Sequence, residues 1–201
     1  MVRIVLVSLL SGIVLFAWGM LAWMVFPIHD GTLKPLPEAE AVVSVLKQQK
    51  LEDAYYVYPA FPENVENQEA AMKEFEQQHK SGPIFSLIYH SQGTEPMPPA
   101  MMGGGLLINL VSSFIAVVLL SMAIRNGARF TFFQRFRFVA LLGVFAAVVS
   151  YLALKNWMYF PGDFTNGMIL DLLISWILAG IVIAALIKPA TVTAEAEPET
   201  V

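Results

Sequence analysis

The stretch NGMILDLLISWILAG, residues 166–180, is apolar enough to cross a membrane, yet it carries an aspartate, Asp171. A bilayer core of about 30 Å takes roughly 20 apolar residues in helical form, the form that satisfies its own backbone hydrogen bonds. An ionisable group facing hydrocarbon is costly, so Asp171 must lie near the head groups or turn into a polar interior. Whichever holds, this segment fixes the class of fold, and runs of similar length recur elsewhere in the chain.

Of the 201 residues, 57% are hydrophobic and 14% charged, far from the mix of a soluble globular domain. Four spans are expected, at residues 1–26, 104–124, 138–154 and 168–187, separated by segments 27–103, 125–137 and 155–167 and followed by a tail, 188–201. The first run follows Arg3 as a secretory signal does. It is longer than a signal core, however, and MVFPIHDG, residues 24–31, holds no small-x-small cleavage site, so an uncleaved anchor is expected. The fold class is thus an α-helical membrane protein, with four transmembrane helices and a small α/β extracytoplasmic insertion between the first two.

Basic residues set the direction of threading, because short loops rich in Lys and Arg stay cytoplasmic. The segment 125–137 holds Arg125, Arg129, Arg135 and Arg137 with no acid, and Arg3 and Lys188 flank the outer two spans on the same side. Both termini are expected in the cytoplasm and residues 27–103 outside it. That insertion carries five lysines against eleven acids, 5 − 11 = −6. The four arginines, interleaved with phenylalanines, are candidate contacts for anionic lipid. Threading alone also accounts for them, and nucleic acid is not an expected partner. The acidic tail has the composition of a disordered segment.

Within the insertion, Pro37 opens a helix expected to run to Lys50, with Glu38 and Glu40 in its first turn and Lys47 and Lys50 in its last. AYYVYP, residues 54–59, reads as a strand. A second helix is expected from Asn64 or Asn67 to Ser81, stopped by Gly82 and Pro83, and IFSLIYH, residues 84–90, alternates as a second strand. The order helix, strand, helix, strand suggests a right-handed crossover with the strands parallel. Two strands do not form a stable sheet alone, so another surface is expected to cover them. TEPMPPAMMGGG, residues 94–105, reads as a connector with a glycine hinge.

The chain has no cysteine, hence no disulfide or thiolate chemistry. Glu76 and His79 have the spacing of a helical ligand pair, but a di-metal bundle needs a second copy. No cofactor, metal or catalytic residue is expected. The polar residues of the spans are the better candidates. Asp171, Ser175 and Ala179 share one face of the fourth span, and Asn109, Ser113 and Ala116 one face of the second. Gly143, Ala147 and Ser150 form a small-residue stripe on the third. With the fourth helix starting at Met168, Asp171 lies about one turn inside, with Asn109 or Lys155 as its partner. It either fixes helix register or belongs to an outer polar site that includes Trp23, His29 and Asp30.

WMVFPIH (residues 23–29) with Thr32 and Leu33, the Gly82-Pro83 step, and Asn156-Trp157 ahead of DLLISWILAG resemble a family of small, uncharacterised bacterial inner-membrane proteins. The resemblance implies a bacterial inner-membrane location and no particular activity. Two functions follow as expectations. One is a non-enzymatic accessory or assembly subunit, partnered by the bilayer and by another membrane protein or a second copy. The other is a lipid or small-solute handling protein with an outer-leaflet site at Asp171.

Overall fold

The computed structural model describes residues 2–125 and 130–189. Arg129 and the tail from residue 190 lie outside the described residues. The chain divides into two compact units, Met1–Lys34 with Met97–Val201, and Pro35–Pro96.

Among its described residues the first unit contains four helices long and apolar enough to span a membrane, at Val2–Met24, Pro99–Arg125, Phe132–Met158 and Gly162–Leu186. They are α1 (Val2–Met24), α4 (Pro99–Arg125), α5 (Phe132–Ala147) continued through a π-helical segment (Val148–Leu152) into α6 (Ala153–Met158), and α7 (Gly162–Leu186). A 3-10 turn, Pro27–His29, follows α1. Three helix starts in this unit come earlier than the sequence suggests. Pro99 stands at the first position of α4, where its fixed φ suits a helix and its missing N–H costs nothing, so helix runs through Gly103–Gly105 instead of a hinge. Thr131 and Gln134 form a reciprocal capping box that starts α5 at Phe132, which places Arg135 and Arg137 on the helix and not in a loop. α7 starts at Gly162, nearly two turns before Met168.

α1 packs against α4 and α7, and α7 packs against α5. Their core is Val7, Leu15, Ala116, Val117, Leu120, Val139, Ala179, Ile183 and Ile187. Glycines let the helices approach closely, as small residues do between membrane helices. A Cβ on Gly12 would stand 2.9 Å from Leu110 Cα, and one on Gly143 would stand 2.5 Å from Trp176 Cβ. Ser11 and Ser113 are buried and hydrogen-bonded to each other across the α1–α4 contact.

The second unit contains α2 (Ala39–Gln48), β1 (Ala54–Tyr58), α3 (Gln68–Ser81) and β2 (Phe85–Tyr89). The strands are antiparallel, with Tyr58 opposite Phe85 and Ala54 opposite Tyr89, which corrects the parallel expectation. The reason lies in the connection. After β1 the chain runs from Pro59 to Asn67 as a non-helical arm that can extend up to about 30 Å, and the 14 residues of α3 retrace about 21 Å. The chain therefore returns to the end it left. Gln68 Nε2 donates to Pro62 O, and Phe61 meets Phe75 edge-on, holding the arm to the helix. Asn67 caps α3 by accepting from the Ala70 N–H. Asp53 clips the other end of the strand pair: its Oδ1 accepts from the backbone N–H of Ser91 at 2.8 Å and from the Ser91 hydroxyl at 2.7 Å. These bonds, with a smaller contribution from His90, hold the Asp53 carboxyl below the usual carboxylate range.

Candidate functional site

Asp171 is the centre of the most elaborate polar cluster among the described residues. Counted from Gly162, it lies about 13 Å along α7 at 1.5 Å per residue, well beyond the single turn that the sequence suggested. At that depth a carboxylate needs donors, and it has two. Trp18 Nε1–H on α1 donates to Oδ1 at 2.6 Å, and His29 Nε2–H donates to Oδ2 at 3.1 Å. The His29 and Asp171 side chains are 6% and 13% exposed, so the bonds form largely out of solvent, where they count for more than in water.

The local sequence explains the arrangement. On α1, Ser11, Leu15, Trp18 and Ala22 recur at helical spacing, and the stripe faces inward. Pro27 turns the chain directly after the helix and brings His29 back over the bundle. The imidazole stacks on Trp23 with ring centroids 3.8 Å apart, and Trp18 stacks on Phe26 at 5.5 Å. Thr32 Oγ1 donates to His29 O at 2.7 Å and closes the turn. α7 receives this turn at Gly167, where a Cβ would come within 2.7 Å of Thr32 Cγ2 and 3.2 Å of Ile28 O. The π segment that carries Tyr151 packs against α7. Such segments often mark places where a helix is reshaped around a site.

A carboxylate can only accept, so Nε2 of His29 must carry a proton. The other ring nitrogen, Nδ1, is buried and has no hydrogen-bond partner. It is the one buried side-chain nitrogen or oxygen without a partner among the described residues.

The partners expected for Asp171 are corrected. Asn109 is on α4, which packs on α1, and neither it nor Lys155, an exposed residue of α6, is bonded to Asp171. Ser113 bonds Ser11 instead, and Ser175 is half-buried one turn further along α7. Of the outer residues named with Asp171, His29 touches it, Trp23 touches His29, and Asp30 is exposed. Trp18 was missed, although an indole N–H amid a buried stripe signals the need for an acceptor.

At the opposite helix ends, Arg125 and Arg137 are exposed, whereas Arg135 is 6% exposed. It donates from Nε to Ala184 O at 2.9 Å and from Nη1 to Phe130 O, so these two nitrogens cap backbone carbonyls inside the unit. In the second unit Glu76 pairs with Lys80 at 3.3 Å. Among the described residues no group of three His, Asp or Glu side chains is placed to hold a metal ion. Comparison with family models, with curated proteins and with solved structures found no match to this chain.

Proposed function

We propose that this protein is a non-enzymatic, multi-pass subunit of the bacterial inner membrane, with both termini cytoplasmic, that recruits a protein partner through its second unit. One observation carries the reading: that unit leaves much apolar side chain on its surface. No residue of α2 or α3 is buried. On one face of the strand pair Tyr55, Val57 and Ile88 are 44%, 43% and 68% exposed. A two-stranded sheet with an uncovered apolar face is marginal alone, and a contiguous apolar surface of this kind suits a binding partner. Residues 35–96 carry four lysines against ten acids, 4 − 10 = −6, so like charge disfavours a second copy and favours a partner of net positive charge. The orientation rests on Arg3, Arg125, Arg137 and Lys188, which fall at helix ends that alternating spans bring to one side.

The test is purification in mild detergent of the wild type and of Ile88→Asp. The reading expects a stoichiometric basic partner with the wild type and its loss from the variant, with the helical content unchanged. A reporter active only in the cytoplasm should work after Lys188 and be silent at Asn67; the reverse pattern would overturn the orientation.

A second reading, a site for a lipid or small solute at Asp171, rests on the buried, unpartnered Nδ1 of His29. Such a ligand would offer a hydroxyl or amine donor. His29→Phe keeps a ring on Trp23 and removes both nitrogens, so a tightly held ligand in a monomeric wild type, absent from His29→Phe, favours this reading over the first.

A further inference from the structure

Two arginines converge on the C-terminal turn of α7. Arg3, in the first turn of α1, donates from Nε to Leu186 O at 2.7 Å and from Nη2 to the same oxygen. Arg135, in the first turn of α5, donates to Ala184 O and to Phe130 O. Every one of these acceptors is a backbone carbonyl. No carboxylate is paired with either guanidinium in any ion pair among the described residues. The two guanidiniums bond carbonyls only two residues apart at the end of α7.

Buried charge normally has a counter-ion. The partial charge at a helix C-terminus, about −0.5, does not balance the buried guanidinium of Arg135, and the exposed guanidinium of Arg3 adds a second positive charge at the same helix end. Each guanidinium also retains a terminal nitrogen, Nη1 of Arg3 and Nη2 of Arg135, that makes no hydrogen bond among the described residues. Arg3 is exposed, so this end is open from outside the bundle. Guanidinium groups match the oxygens of a phosphate, and the ends of membrane-spanning helices lie where lipid phosphates lie.

We propose that Arg3 and Arg135 form a binding site for a phosphate oxyanion at the C-terminal end of α7, independent of the role given to the second unit. The anion is the head-group phosphate of an anionic lipid or a free phosphate, and the experiment separates the two. Full-length protein in a neutral detergent is titrated with phosphatidylglycerol, with phosphatidylcholine, and separately with inorganic phosphate, and the thermal midpoint is followed. A saturable rise with phosphatidylglycerol and none with phosphatidylcholine is expected. Arg3→Gln should weaken the apparent affinity at least about tenfold, the effect of removing one charge-assisted bond. Arg137→Gln, an exposed neighbour, should leave it unchanged. An equal rise with inorganic phosphate, competing with the lipid and lost in Arg3→Gln, keeps the site and assigns it to free phosphate. Arg135→Gln removes an internal cap and is not needed for the decision. The proposal is overturned by a wild type that responds to neither anion, or by an Arg3→Gln protein that responds as the wild type does.

Discussion

Trp18 and Asp171, 153 positions apart, meet through a 2.6 Å hydrogen bond in which the indole N–H donates to the carboxylate. With the bond from His29 at 3.1 Å, the carboxylate ties α1, the following turn and α7 together at one point. Asp171→Leu strands two donors in a region where water is scarce and should destabilise the protein by about 1–3 kcal/mol. Asp171→Asn can still accept from Trp18, but its amide N–H can donate to His29 Nε2 only if the imidazole proton moves to the buried, unpartnered Nδ1, so an intermediate loss of about 1 kcal/mol is expected. Reversible unfolding in detergent measures both. A Leu variant as stable as the wild type would remove the structural role.

The contact between α5 and α7 gives a second prediction. An added Cβ at Gly143 meets Trp176 Cβ at 2.5 Å and Cγ at 2.8 Å, whereas one at Gly103 meets nothing within 4 Å. Gly143→Ala should therefore cost about 1–3 kcal/mol by overpacking. Gly103→Ala should be neutral or stabilising, since alanine is the better helix former. Equal midpoints for the two variants would contradict the packing.

The four long apolar helices were legible because roughly 20-residue apolar runs of this kind favour the helix, which satisfies its own backbone. The small-residue stripes holding Gly143, Ala116 and Ala179 pointed to helix contacts for a similar reason, and Gly143 and Ala179 do face neighbouring helices. What could not be read was which helix lies beside which. Asn109 and Asp171 look alike on paper, at matching depths, but α4 packs on α1, and Asp171 is bonded by Trp18 of α1 and His29 of the following turn. The start of α7 also misled, because Gly162, Asp163 and Asn166 look like loop chemistry while forming its first turns. The strand direction was lost for a third reason. A connection containing one helix suggests a crossover, and only the reach of the arm before α3 shows that the chain doubles back.

The Asp53 clip should respond to acid. Its carboxyl is held below its usual value by the Ser91 backbone N–H and hydroxyl. A depressed folded-state value contributes stability that is present above the unfolded value, about 3.9, and is lost as pH falls through the folded one. Exchange of the Ser91 amide in the full chain should quicken, relative to intrinsic rates, as pH falls below about 4. In Asp53→Asn that acid response should be flat. A Ser91 amide whose relative protection does not change down to about pH 2 would contradict the clip.

The central claim is that the uncovered face of β1 and β2 is occupied by a protein partner. A photo-reactive residue placed at Ile88, the most exposed apolar side chain of the strand pair, and irradiated in intact cells tests it most directly. The account predicts cross-linking to one basic protein, with no such product from a probe at the exposed helix residue Lys73. Cross-links from Ile88 to lipid alone, to another copy of the chain, or to nothing would contradict it.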